Sequence, residues 1–166
     1  FKREAELPQL PDIFAGMNPI YRLLAHKLKR GIDARMIGVP YVTRNSAAVP
    51  QYGGVSENEL RNEMRRGPRD QIKEVPWIGF GGVLMHRTVM EDVIKTQGDE
   101  IRMKSNGVGG RFNYQYGIFD PLGAEVPGDD IPACHRITKA GHKIYVDFSI
   151  AAAHVGDRPF TYKDVA

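Results

Sequence analysis

The chain has 166 residues, 42% hydrophobic and 26% charged, an ordinary balance for a folded domain with material for one real core. The net charge of +3 is too slight and too scattered to point to nucleic acid, and the single cysteine, Cys134, excludes an intrachain disulfide and a cysteine-based zinc site. No apolar run approaches a membrane span and the first residues lack the positive-then-apolar order of a signal peptide, so the expectation is a cytoplasmic chain with residues 1–166 forming a single domain.

In chain order, Pro8 and Pro11 discourage a long helix at the start. Asn18-Pro19 opens a helix whose apolar stripe is Ile20, Leu23, Leu24 and Leu28, with Gly31 as its stop. Ala34 to Val42 reads as a buried strand. Residues 45–74 are polar, carry little core material, and are punctuated by Gly53-Gly54 and Gly67-Pro68. Within them Ser56 and Glu59 stand at capping-box spacing and predict a short helix over 57–66. Such a polar insertion serves either as a lid over a site or as plain surface.

Val75 to Arg87, VPWIGFGGVLMHR, predicts a core strand bulged by Gly79, Gly81 and Gly82, whose missing side chains also allow a ligand to come close. The G-F-G-G run is not a dinucleotide-binding fingerprint, because it lacks the third spaced glycine. Thr88 and Glu91 then form a T-x-x-E box opening a helix that Gly98 would close. Residues 99–127 are loop-rich. The aromatics Phe112, Tyr114, Tyr116 and Phe119 there either stack on a sugar or base or cover a small core.

The densest chemistry lies in Gly128 to Gly156. Asp129-Asp130 precede a short amphipathic helix. Ile131, Ala133, Cys134, Ile137 and Ala140 share one arc of it, and His135, Arg136 and Lys139 the other. Pro132 suits the first turn and Gly141 the stop. Lys143 to Ile150 alternates as a half-buried strand, with Ile144, Val146, Phe148 and Ile150 inward and Tyr145, Asp147 and Ser149 outward. His154 stands beyond it. Read from the residues alone, Asp130 is more often an N-cap than a catalytic group, with Asp129 adding favourable charge at the helix start, and His154 more often a structural histidine than a ligand.

The order Asp129-Asp130, Lys139-Ala140-Gly141, Lys143-Ile144-Tyr145-Val146-Asp147 and His154-Val155-Gly156 resembles the C-terminal half of nucleotide-sugar glycosyltransferases of the GT-A type. Upstream, Gly79, Gly81, Leu84 and Arg87 match the family's glycine-bearing strand, and I-G-V-P-Y at 37–41 an earlier one. The resemblance implies an α/β fold, a mixed sheet with flanking helices and long loops, partially GT-A-like. It implies a divalent metal, Mn or Mg, with His154 as a ligand. Asp130 becomes the base, or the electrostatic partner of the sugar in a retaining enzyme, and Asp129 orients the acceptor or the donor sugar. Tyr114, Trp77 and Gly81 are the candidate substrate contacts beside them. Its expected partners are a nucleotide-sugar and a glycan or protein acceptor. The family's Asp-x-Asp motif is absent from the sequence, so a partner chain or an upstream segment is expected to supply the nucleotide-binding half. The alternative is a non-catalytic descendant, a glycan-binding or assembly module such as a phage virion component.

Overall fold

The computed structural model describes residues 34–43, 50–106, 112–122, 129–150, 152, 154–155, 159–160 and 163, all within the unit Ala34–Ala166. The helix expected after Asn18-Pro19 lies outside them. The described residues form a small α/β domain, a mixed four-stranded sheet flanked by three helices. No described helix is long and apolar enough to cross a membrane.

The sheet is built from β1 (Met36–Gly38), β2 (Ile72–Val75), β3 (Val83–Met85) and β6 (Ile144–Asp147), in the order β2-β6-β1-β3. β1 and β6 run parallel, with Ile37 opposite Tyr145; β3 and β2 add antiparallel on either side, Leu84 opposite Ile37 and Glu74 opposite Tyr145. Two hairpins stand apart from this sheet, β4 (Arg102–Asn106) with β5 (Phe112–Tyr116), and β7 (His154–Val155) with β8 (Pro159–Phe160). The central strands bury Met36, Ile37, Ile144 and Val146 almost completely, as parallel neighbours covered on both faces do.

The first strand is shorter than its apolar run. Ala34, Val39 and Val42 are buried, yet the ladder stops at Gly38 because Pro40 has no N–H to give it. Val39 N–H turns instead to the Gly82 carbonyl at 2.9 Å, and Val42 makes an isolated bridge to Pro50.

Helix α1 (Glu57–Arg65) opens on the expected capping box, with Ser56 Oγ accepting from the Glu59 N–H and the Glu59 carboxylate reaching back to the Ser56 N–H at 3.0 Å. The polar stretch around it contributes more core than its composition suggests. Tyr52, Leu60 and Met64 are buried, and Ile72 to Val75 supplies the edge strand β2. Tyr52 meets Phe148 edge-on at 5.4 Å, and the Arg69 guanidinium sits 4.0 Å over the other ring. Arg69 also donates to the Glu63 carbonyl at 2.9 Å, closing the end of α1 onto the sheet.

The segment 75–87 is not one bulged strand. After β2 the chain turns, bridges Tyr52 through Ile78, makes a 3-10 turn at Phe80–Gly82, and only then enters β3. Helix α2 (Arg87–Ile101) begins one residue before the expected cap. His86 occupies the cap position and takes the Thr88 N–H on Nδ1, while Glu91 pairs with Arg87 at 2.9 Å rather than completing a box. Gly98 does not stop this helix. Burial of Gln97 and Ile101 carries it past the glycine, over which Tyr116 packs.

Helix α3 (Asp130–Lys139) lies against α2, tied by Gln97 Nε2 donating to the Arg136 carbonyl at 2.8 Å. His142 Nε2 and Asp92 Oδ2 make a second tie at 3.0 Å. Two expectations change here. Arg136 belongs to the buried side of α3 although the helical wheel assigns it to the solvent arc. Strand β6 ends at Asp147, whose Oδ1 takes the Ser149 N–H at 2.8 Å and turns the backbone out of the ladder. Asp147 and Ser149 are therefore buried rather than outward-facing.

Candidate functional site

The acidic pair divides its roles at the start of α3. Asp129 occupies the cap position in helical conformation, is exposed, and makes no side-chain capping bond. Asp130 is the first helical residue, not the cap. Its half-buried carboxylate accepts from the backbone N–H of Phe80, in the middle of the glycine-rich turn. One helical turn further on, Cys134 Sγ lies 3.5 Å from both the nitrogen and the carbonyl oxygen of Ile78. Residues four apart share a helix face, so Asp130 and Cys134 together seat α3 beneath the Ile78–Phe80 backbone.

The turn in turn holds Tyr41. A Cβ on Gly79 would overlap the Tyr41 hydroxyl, and one on Gly81 would stand 2.8 Å from its Cζ. Only glycine at both positions admits the ring. The Gly81 N–H donates to Tyr41 Oη at 3.3 Å. Burial first, and then the charges of Asp130 and Asp129, push the Tyr41 phenol above its ordinary range, while the Gly81 bond works against them. The phenol therefore stays protonated and keeps a hydroxyl beside the two carboxylates.

Burial is also what raises the Asp130 pKa above that of a free carboxyl. The Phe80 N–H opposes it, and the charge of Asp129 adds the smallest contribution. Crowding of like charges therefore acts in the same direction as burial but is not the main cause.

Beside this turn, Phe80 packs edge-on against Phe119 with ring centroids 5.1 Å apart. Phe119 and Leu122, three residues on, remain 39% and 41% exposed. Buried Arg136 donates from one nitrogen to the carbonyls of Ile118 at 2.7 Å and Asp120 at 2.6 Å, one on each side of Phe119.

Of the residues singled out in the sequence, Asp129, Asp130 and Gly81 come together through Phe80 and Tyr41. Trp77 is half-buried against Gly53, where a Cβ would run into the indole, and its carbonyl accepts from the Gly53 N–H at 3.0 Å. Tyr114 pairs with Lys104 in the β4–β5 hairpin and His154 with Phe160 in the β7–β8 hairpin; the contacts of both side chains lie outside what is described. Among the described residues no three His, Cys, Asp or Glu side chains gather at one point. Asp129 and Asp130 alone do not make a donor set for a divalent cation, one of them already holding the Phe80 N–H. Tyr41, Phe80 and Arg136 are the participants that motif reading passes over. The only hint is the G-x-G spacing, which asks for a bulky neighbour without naming it.

Compared with known protein families, curated proteins and solved structures, the chain matches none.

Proposed function

We propose that this domain is the acceptor-side half of a GT-A-like glycosyltransferase, with Asp130 as the base that takes the proton of an acceptor hydroxyl. The observation that carries the reading is the state of Asp130, a half-buried carboxyl of raised proton affinity, fixed by the Phe80 N–H. A carboxylate so held is a stronger base than one in water and is aimed before substrate arrives. The acceptor oxygen, as its O–H bond passes its proton to Asp130, forms the new bond to the anomeric carbon of the donor sugar. The bond to the nucleotide diphosphate breaks, and its electron pair leaves with the diphosphate. Exposed Asp129 and the protonated Tyr41 hydroxyl are placed to orient sugar hydroxyls.

The order of elements supports the same reading, with the acidic pair, helix α3 and the central strand β6 in succession. The nucleotide half, which the family holds on an Asp-x-Asp motif, would come from a partner chain or another segment of the protein. A bound Mn or Mg ion would neutralise the departing diphosphate, and His154 is the residue proposed to ligate it.

The test is release of nucleoside diphosphate by the full gene product, with Mn2+, from a panel of nucleotide-sugars and glycan acceptors. Asp130→Asn is expected to lower the rate by roughly 100-fold or more, the usual loss when a general base is removed. His154→Ala is expected to raise the metal concentration needed for half-maximal rate. An unchanged rate in Asp130→Asn, or no release with any donor, overturns the assignment.

A further inference from the structure

We infer that Arg136 is a positioning residue, presenting Phe119 as a platform on which the apolar face of a saccharide ring stacks beside Asp130. This rests on the glycosyl-transfer reading for its substrate class and adds the residues that recognise it.

The geometry runs from the helix outward. Asp130 and Arg136 sit on the same helix, one touching the Phe80 backbone and the other buried beneath the Ile118–Asp120 turn. The guanidinium takes the carbonyls before and after Phe119 in a single grip, at 2.7 and 2.6 Å. A second restraint comes from Gly117 N–H to the Ile101 carbonyl at 2.9 Å, and a third from Asp120 N–H to the Gly117 carbonyl at 3.1 Å. The backbone on both sides of Phe119 is therefore fixed, while 39% of the residue stays open to solvent.

A turn that only filled the core would turn its ring inward. This one buries Ile118 and the guanidinium and leaves Phe119 standing against Phe80, whose own N–H is bonded to Asp130. The edge-to-face pair makes an apolar surface linked through the Phe80 backbone to the Asp130 carboxylate, with Asp129 the residue before it. A pyranose matches that mixture. Its axial C–H face suits an aromatic ring, and its hydroxyls suit carboxylates. Arginine is needed for the grip because its length carries one terminal nitrogen to a point between both carbonyls. A lysine ammonium ends one bond short of that nitrogen and does not reach the same two carbonyls.

The experiment is an NMR titration of the full chain, aromatic side chains labelled, with methyl glycosides of glucose, galactose, mannose and N-acetylglucosamine up to about 50 mM, a range suited to millimolar affinity. At least one glycoside is expected to shift the Phe119 and Phe80 ring signals. Phe119→Ala should weaken its binding roughly three- to tenfold, and Phe119→Tyr should restore it. Arg136→Lys should weaken binding while the folded spectrum of the sheet is kept. Glycosides that shift neither ring, or bind Phe119→Ala as well as the parent, overturn the inference whether or not sugar transfer is observed. Shifts at Phe119 without transfer by the gene product leave the platform standing and remove the catalytic reading. Where transfer is measurable, Phe119→Ala and Arg136→Lys are expected to raise the acceptor KM and leave kcat within about threefold, a split that general loosening of the fold would not produce.

Discussion

Cys134 Sγ lies 3.5 Å from both polar backbone atoms of Ile78, a contact between residues 56 apart that holds helix α3 against the turn carrying Phe80. Burial pushes this thiol up to about 11 from its ordinary value of 9.0, with the Ile78 N–H partly offsetting it and Asp130 adding to it. At pH 8 the thiolate fraction is then roughly a hundredth of that of a free cysteine, before access is counted. Native protein at pH 8 is therefore expected to react with a disulfide reagent at least roughly 100-fold more slowly than protein unfolded in denaturant. A native rate equal to the unfolded one would show that α3 does not cover Cys134.

Glycines in this chain separate into those a side chain would help and those it would break. At Gly98, inside α2, an added Cβ meets Tyr116 Cε1 at 3.4 Å and Ile94 Cγ2 at 3.7 Å, ordinary or slightly tight contacts. Gly98→Ala gains helix propensity of about 0.5–1 kcal/mol and should raise Tm by roughly 1–4 °C. Gly81→Ala drives its Cβ into the Tyr41 ring at 2.8 Å and is expected to lower Tm, displacing the phenol from the carboxylates. Thermal melts of the two variants with opposite signs check both statements.

On the sheet side, Glu63 receives two donors, Tyr52 Oη at 3.2 Å and Lys73 Nζ at 2.7 Å. Burial, and then the Glu63 carboxylate, raise the Tyr52 phenol well beyond its ordinary value, so it stays a donor at all physiological pH. Tyr52→Phe keeps the ring that meets Phe148 and removes only the hydroxyl. A loss of about 0.5–1.5 kcal/mol in chemical denaturation, without a change in m-value, is expected.

How much of this was legible depended on distance along the chain. The capping box of α1 is local, two residues three apart, and reads directly from Ser56 and Glu59. The alternation through Ile144, Val146 and Phe148 likewise placed β6 in the core. A helical wheel sorts Arg136 by polarity and sends it to solvent, because its two acceptors lie 18 and 16 residues upstream, invisible to any local pattern. The Gly79 and Gly81 contact with Tyr41 spans about 40 residues and hides in the same way. Gly98 failed as a stop for a different reason. A glycine ends a helix when the backbone there turns left-handed, as Gly141 does at φ 89°, and Gly98 has helical neighbours on both sides.

The state of Asp130 ties stability to its proposed role. Its carboxyl binds a proton more tightly in the folded protein than a free aspartate does, chiefly through burial. The neutral form therefore favours folding. That contribution is complete below the unfolded pKa of about 3.8 and is lost as pH rises through the higher folded value. Asp130→Asn is neutral at every pH and keeps an oxygen to accept from the Phe80 N–H, so it escapes the loss. The variant is expected to melt about 1–3 °C above the parent at pH 7, a modest gain because the carboxyl is only half-buried and solvent screens its charge. The difference should shrink as pH falls toward 3.8 and be constant above the folded pKa. A residue that costs the fold stability is what the proposed role of Asp130 as a base calls for. Matched melting curves at pH 4 and pH 7 decide the point. A variant less stable than the parent at neutral pH would mean the ionised carboxylate holds the turn in place, and its role as a poised base would fall with that result.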